Sequence, residues 1–158
     1  MRWILFVGLS ILVGALPAQA ADRADSTTMT VRLISTTTSY RVLTDREPRN
    51  TISPGDVIWA KSVLRNAVAQ FGKPKGAIVG SDVGTITVLS ATRAEVKVTA
   101  TLPGGTVRST ARNDVSGSQN IRVVGGTGAF ENARGVCEVT ALNASGSRAR
   151  NVYRLRLP

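Results

Sequence analysis

Alternation of small or apolar side chains with polar ones is the feature that most restricts the folds open to this chain. It is clearest from Arg93 to Leu102 and from Thr106 to Val115, which are joined by a Pro-Gly-Gly sequence, and it returns from Arg148 to Leu157. A period of two places successive side chains on opposite faces of a β-strand, and glycine and proline between such segments favour turns. We therefore predict strands rather than helices.

About eight strands can be placed in this way, with short glycine-containing turns between most of them. Regular strand spacing without a helical pattern is typical of a sandwich or a closed barrel, and the pattern alone does not separate the two. The second segment, from Val57, is rich enough in Ala and Leu that a helix is an alternative there. Gly80 and Gly84 lie inside the third strand and predict a bulge or sharp bend of the kind that a small barrel needs. The predicted strands are Met29–Thr44, Val57–Ala69, Ala77–Leu89, Arg93–Leu102, Thr106–Val115, Asn120–Val124, Val136–Leu142 and Arg148–Leu157.

The first 20 residues have the three regions of an export signal. Arg2 gives a positive start, Ile4 to Leu16 is an apolar run, and Ala18-Gln19-Ala20 is a small-x-small cleavage site. The apolar run is shorter than the roughly 20 residues of a membrane-spanning helix. We therefore predict a cleaved signal peptide at 1–20 and a single β-barrel domain at 21–158. The predicted location is secreted or periplasmic, with no integral membrane segment, and the composition favours a bacterial source.

The charge of the chain and its supply of reactive residues restrict the partners and cofactors that it could use. The chain carries 20 Lys and Arg against 10 Asp and Glu, which would attract anionic partners without choosing among them. The basic residues are spread along the sequence and aromatics for base stacking are few, so we predict no nucleic-acid partner and a solvated basic surface. The chain has no histidine and one cysteine. We therefore predict neither a metal nor another cofactor.

A glycine-rich stretch from Val123 to Gly135 follows a β-branched run. It lacks the third glycine of a dinucleotide-binding loop, because Glu131 stands at that position, and it lacks the Gly-Lys-Ser/Thr of a phosphate loop. We predict a structural turn built on Gly125, Gly126 and Gly128, since glycine reaches positive φ at low cost. Arg134 is predicted to brace this turn through hydrogen bonds from its guanidinium to carbonyl or carboxylate oxygens, with a ligand contact as the alternative.

The order Gly-Gly-Thr-Gly-x-Phe-x-x-Ala-Arg-Gly after Val-Val resembles the signature of the dirigent and allene oxide cyclase barrel proteins, in particular their bacterial secreted branch. Weaker matches lie at 53–56, 79–82 and 102–106. The resemblance implies an all-β, eight-stranded antiparallel β-barrel and a possible homo-oligomer, dimer or trimer. It also implies ring closures or couplings of apolar, oxygenated molecules in the barrel interior. Glu131 departs from the plant dirigent proteins, which usually have a basic residue after the Phe.

Candidates for ligand binding are side chains that could line such an interior. In the plant enzymes these pockets use carboxylates, Tyr and Arg, but alternation turns Glu95, Asp114 and Glu138 outward, and the direction of Asp82 cannot be predicted. Catalytic residues are therefore not assigned. Trp59, Cys137 and Tyr153 could instead be core residues, the commoner role of buried aromatics. The candidates are Tyr40, Trp59, Asn113, Cys137 and Tyr153.

Two classes of function remain open. The first is a non-catalytic barrel that binds a small apolar molecule or acts as a scaffold, and the second is a cofactor-independent cyclase or isomerase of the allene oxide cyclase type. The lack of histidine favours the first, and an adhesive basic surface protein is a third, weaker possibility. An inward carboxylate beside a tyrosine would favour the enzyme, whereas a cavity filled by side chains would favour the scaffold.

Overall fold

The computed structural model describes residues 26–49, 51–114 and 118–158, with the side chain of Asn113 also outside the described part. Eight antiparallel strands, each paired with its neighbours in sequence order, close into one barrel through pairing of the last strand with the first. The strands are β1 (Thr27–Thr44), β2 (Val57–Asn66), β3 (Ile78–Val88), β4 (Arg93–Leu102), β5 (Gly105–Asp114), β6 (Gln119–Gly128), β7 (Arg134–Ala141) and β8 (Arg148–Leu157).

The predicted eight-stranded antiparallel barrel is therefore confirmed, and the helix considered for the segment after Val57 does not form. The described residues contain no helix, and β2 ends at Asn66, before Ala67 to Ala69. The Asn66 side chain explains the end of the strand, because its amide nitrogen donates to the carbonyl oxygens of Gln70 and Lys73 at 2.8 and 3.0 Å. The predicted signal peptide at 1–20 lies outside the described residues.

The alternation predicted for β4, β5 and β8 matches the burial of their side chains. Ala100, Leu102, Val107, Tyr153 and Leu155 are buried, and the polar residues between them face outward. In a barrel, one face of every strand points to the interior, so a period of two in the sequence becomes an inside and an outside.

The two ends of the barrel differ. At one end, the β6–β7 turn places Phe130 and Ala133 against Leu33, Leu64 and Leu155, and all of these side chains are fully or almost fully buried. We call this end the floor. The other end carries the loops after β1, β3, β5 and β7. Its interior side chains are smaller and partly exposed, so the barrel opens there, and we call this end the mouth.

The predicted turn at Gly125 to Gly128 is wrong in its position. Strand β6 continues through Gly128, and the chain reverses at Ala129 to Ala133. Opposite Arg108 and Ser109, the pairing shifts by one residue, leaving Val124 as a bulge before Gly125. The glycines are needed for close packing inside the strand, because a Cβ on Gly126 would lie 2.9 Å from the Cβ of Phe130 and closer still to two carbonyl oxygens.

The guanidinium of Arg134 braces this bulge. Its Nη1 donates to the carbonyl oxygens of Val124 and Ala133 at 2.9 and 3.0 Å, and to that of Asn132 at 3.4 Å. A second bulge lies at Val79 in β3, beside Gly80, where a bulge or bend was predicted, whereas Gly84 lies in regular pairing. Such bulges bend and twist a strand locally, which helps a sheet of eight strands to close.

Candidate functional site: the barrel interior

The mouth leads into a cavity between the floor and the loops. An outer part of about 310 Å³ and a deeper part of about 200 Å³ share Ile86, Val96, Ile121 and Val139 among their lining residues, so they form one continuous space. The volume of the outer part alone lies within the range of small-molecule sites, which begins at about 300 Å³. The interior of the barrel is thus not filled by side chains.

The walls of the outer part are almost entirely apolar, with polar groups near the mouth at Asp114 and Gln119. Small side chains keep the space open, because Ala94, Ala111, Ala141 and Ala149 stand where larger residues would fill it. The small side chains predicted for the inward row of β5 therefore leave space inside the barrel, and Ala111 of that row lies in the cavity wall. A molecule entering the mouth would first contact aliphatic walls.

Polar groups gather in the deeper part. Strands β2 and β3 place Ser62 directly opposite Asp82, and strands β7 and β8 place Cys137 opposite Tyr153. All four side chains line the deep part of the cavity, together with Ser35, Ser109 and Asn151. The cavity therefore has apolar walls near the mouth and polar groups at depth.

Asp82 is the one carboxylate among the residues lining the deep part. Partial burial raises the pKa of this carboxyl above its ordinary value of 3.8, and a hydrogen bond with Ser62 opposes the shift. No ion pair involves Asp82 within the described part of the chain. An acid with a raised pKa and no cationic partner holds its proton to a higher pH than an exposed aspartate.

Tyr153 and Cys137 are both protonated at neutral pH. Burial raises the pKa of the Cys137 thiol to about 12 and the pKa of Tyr153 well above 10, and the nearby Asp82 carboxylate adds to both shifts. The Tyr153 hydroxyl donates a hydrogen bond to the Cys137 sulfur. Because the thiolate is the reactive form of cysteine, the raised pKa of Cys137 disfavours a role as nucleophile.

Two buried polar atoms in the deep part have no hydrogen-bond partner among the described residues. They are Ser109 Oγ and Asn151 Oδ1, on residues that are only 5% and 6% exposed. Leaving a buried polar atom unpaired costs about 1–3 kcal/mol, so these positions are suited to a ligand group that completes the hydrogen bonds. The carboxamide oxygen of Asn151 accepts, which calls for a donor on the bound molecule.

The structure separates the five predicted ligand-binding residues. Cys137 and Tyr153 lie together in the deep part of the cavity. Trp59 faces outward, where the guanidinium carbon of Arg41 lies 4.7 Å from its ring centroid, so its prediction as an interior residue is wrong. Tyr40 stands on the extension of β1 beyond β8 and is 72% exposed, so it is a residue of the rim rather than of the cavity. The side chain of Asn113 lies outside the described residues.

Asp82 is the cavity residue whose direction the sequence did not predict. Glycines at 80 and 84 obscured the alternation of β3, because a glycine gives no sign of which face its neighbours occupy. The register with β4 was the missing information: Asp82 pairs with Ala100, which belongs to the inward row of an unambiguous strand. The outward directions predicted for Glu95 and Glu138 agree with their surface ion pairs to Lys97 and Arg154, each 3.1 Å long. Asp114, predicted outward as well, stands at the end of β5 and lines the cavity at the mouth.

A larger depression of about 490 Å³ lies on the outside of the barrel, across strands β2 to β6. Its lining comes mainly from outward rows, including Trp59, Lys97 and Arg108. It is an open groove that would leave one side of a small molecule in water. The enclosed interior is the better candidate, because ligand sites bury most of their ligand.

Two further properties concern the described residues only. They contain no group of three His, Cys, Asp or Glu residues that could hold a metal ion. They also contain no helix long and apolar enough to cross a membrane.

Comparison with known proteins agrees with the geometry of the barrel. The sequence profile of the dirigent-like protein family matches residues 27–157, which is nearly all of the described chain. The chain belongs to the dirigent-like protein family. No curated protein matches its sequence significantly.

Solved structures extend the likeness at the level of fold. A pterocarpan synthase dirigent protein superposes with a TM-score of 0.68 at 16% identity, covering 95% of this chain and 100% of that one. A pyocyanin demethylase superposes with a TM-score of 0.64 at 18% identity, covering 80% of this chain and 99% of that one. The Diels-Alderase AbmU from Streptomyces koyangensis superposes with a TM-score of 0.65 at 18% identity, covering 86% of this chain and 71% of that one. At these identities the shared property is the dirigent-like barrel.

Proposed function

We propose that this dirigent-like protein is exported and binds one small, largely apolar molecule inside its barrel. The observation that carries the proposal is the open interior, with aliphatic walls near the mouth and unpaired polar atoms at depth. A few polar groups at the end of an apolar cavity would orient a ligand whose polar group enters first. Ser109 and Asn151 are the residues we assign to that orientation.

The test fills the outer cavity and measures uptake of the neutral fluorescent probe N-phenyl-1-naphthylamine. Ala111 faces the cavity, so Ala111→Phe is expected to abolish uptake. Arg112 is its neighbour on the outer face, where it lies 3.7 Å from Glu95, so Arg112→Ala is the matched control and is expected to bind like the wild type. Equal uptake by both variants, or no uptake by the wild type, would remove the interior as the site.

A second candidate, a cofactor-independent cyclase or isomerase, is favoured by the inward Asp82 beside Tyr153. In this proposal, the Asp82 carboxyl in its protonated form donates its proton to an oxygen of the bound molecule, and the Tyr153 hydroxyl turns its one hydrogen from the Cys137 sulfur to that oxygen. The proton returns to Asp82 as the rearranged product forms, so the product has the composition of the substrate. Positioned acids of this kind contribute typically about 10²–10⁴-fold to a rate.

Because an isomerisation conserves mass, catalysis can be tested with a mixture of compounds in which the substrate is not yet identified. A lipophilic extract of the producing cells is incubated with the wild type and with Asp82→Asn, and compounds of unchanged mass but altered retention time are sought by liquid chromatography and mass spectrometry. We expect such products only with the wild type, while both proteins take up the neutral probe. Identical profiles from the two proteins would leave binding without catalysis.

A further inference from the structure

The outside of the barrel carries its own pattern, independent of the interior. Arginines that are scattered in the sequence come together on the outward rows of four adjacent strands, β6, β7, β8 and β1, and on Arg65 of β2 next to them. We call this surface the basic face. All its arginines are exposed: Arg32, Arg65, Arg122, Arg134, Arg148, Arg150, Arg154 and Arg156.

Strand pairing shows how closely these arginines stand. Arg156 pairs with Arg134 across β8 and β7, while Ile34 of β1 lies between Arg150 on one side and Arg65 on the other. Paired residues on one face are about 5 Å apart at Cβ, and residues two apart along a strand are separated by about 6.6 Å. The four arginines of β8 therefore form a line about 26 Å long, from Arg148 to Arg156.

Little negative charge compensates this surface. Among the described strand positions of the basic face, Glu138 is the only acid, and it pairs with Arg154 at 3.1 Å. Glu131 lies in the turn beyond the end of the face. By contrast, the outer face of β4 and β5 interleaves both signs, with Glu95 lying 3.1 Å from Lys97 and 3.7 Å from Arg112. Eight of the 18 described Lys and Arg residues but only one of the eight described Asp and Glu residues lie on the basic face, so most of the net positive charge of the described residues is there.

We propose that the basic face binds a linear acidic polysaccharide lying along β8. The guanidinium group suits this partner, since its fixed N–H groups match the two oxygens of a carboxylate. The shape also fits, because a barrel is convex around its axis but extended along a strand. A flexible polymer can follow the line of β8 arginines, and hydroxyl groups of its sugars can meet the threonines that pair with these arginines on the neighbouring strands, Thr28, Thr30, Thr36 and Thr140.

Two other anionic partners fit this surface less well. Duplex DNA carries a charge about every 1.7 Å, far more densely than the β8 arginines, which are about 6.6 Å apart within each pair and about 13 Å apart across Val152. A flat membrane would touch a convex barrel along a line only. The basic face also lacks large side chains to insert, because its exposed large apolar residues among those described are only Val124 and Val136, at 37% and 38% exposure.

The test measures binding of fluorescently labelled oligogalacturonate by anisotropy at low ionic strength. The triple variant Arg148→Gln, Arg150→Gln, Arg156→Gln removes three charges from β8 while keeping the Arg154–Glu138 pair. The control, Arg93→Gln, Lys97→Gln, Arg112→Gln, removes three from the outer face of β4 and β5. With each exposed pair contributing modestly, we expect the β8 variant to bind about tenfold more weakly and the control to stay close to the wild type.

Thermal unfolding of both variants checks that each is folded, and neutral dextran of similar length checks that charge is required. Salt should weaken binding by the wild type, since exposed charges are screened. Equal losses in the two variants would show an effect of net charge alone and overturn the proposal. Stronger binding to a DNA duplex or to phosphatidylglycerol vesicles than to oligogalacturonate would overturn it as well.

Discussion

The glycines of this barrel allow two kinds of backbone cost to be measured separately in one protein. Gly126 has no positive φ, but a Cβ there would overlap the carbonyl oxygens of Thr106 and Phe130. Gly146 has φ of 66° and nothing within 4 Å of a Cβ. Gly128 combines both, with φ of 60° and an overlap with the carbonyl oxygen of Gly104. Alanine at each position adds a Cβ and nothing else.

The expected losses follow from these surroundings. Gly146→Ala incurs only the left-handed backbone penalty, about 1–2 kcal/mol. Gly126→Ala forces β5 away from β6 and displaces the turn that holds Phe130, and overpacking costs about 1–3 kcal/mol. Because backbone atoms surround Gly126 on both sides and cannot rotate away, we expect the upper part of that range. Gly128→Ala combines the two costs and should be the most destabilising, at about 4 kcal/mol.

Urea unfolding measures these differences. With an m-value of about 2 kcal/mol/M, a loss of about 3 kcal/mol lowers the midpoint by about 1.5 M. The midpoints should therefore fall in the order wild type, Gly146→Ala, Gly126→Ala, Gly128→Ala. A Gly126→Ala protein that unfolds at the wild-type midpoint would refute the packing explanation of the glycine stretch. A Gly146→Ala protein as unstable as Gly128→Ala would show that φ alone determines the cost.

Two further predictions concern the pH dependence of single carboxyl groups. Burial raises the pKa of Asp82, so the contribution of this group to stability is fully present below about pH 3.8 and is lost as the pH rises through the folded-state pKa. The Asp82→Asn variant lacks this loss, so its free energy of unfolding in urea should increase relative to that of the wild type as the pH rises. Asp56 is the opposite case, because the backbone N–H groups of Arg46 and Ser53 donate to its carboxylate at 2.6 and 2.7 Å and lower its pKa. Its contribution is present above 3.8 and is lost as pH falls through the folded pKa, so Asp56→Asn should speed hydrogen exchange of those two amides at neutral pH and have little effect in strong acid. A protection pattern unchanged at neutral pH would contradict the role of Asp56 in the β1–β2 loop.

The fold was predictable because the alternation of side chains and the turn residues both favour short antiparallel strands. Strands β4, β5 and β8 alternate cleanly, and their inward and outward rows follow from that alternation alone. The position of the turn after β6 was not predictable in the same way. Glycine permits a turn but also permits close packing within a strand, and the contacts of Gly126 with Thr106 and Phe130 come from residues distant in sequence or beyond the strand end.

The site was predictable only where a strand could be oriented by its neighbours in sequence. Tyr153 and Cys137 belong to clearly patterned strands, and they line the deep part of the cavity. The inward direction of Asp82 follows only from the pairing of β3 with β4. Tyr40 was misplaced for another reason: it shares a row with Ala60, which lines the cavity, but β1 runs past the end of β8 there and leaves Tyr40 72% exposed.

The basic face shows why net charge read from a sequence says little about a partner. Each arginine of β8 is separated from Arg32, Arg65 and Arg122 by tens of residues. The closure of β8 on β1 brings Arg32 and Arg65 near them, and the pairing of β6, β7 and β8 brings Arg122. Alternation also keeps them out of the interior: every described Lys and Arg side chain is exposed, while Asp82 faces inward. The cavity therefore contains no fixed positive charge to ionise Asp82. The same period of two that makes the outside strongly basic leaves one carboxyl group in the deep part of the cavity with a pKa raised by burial.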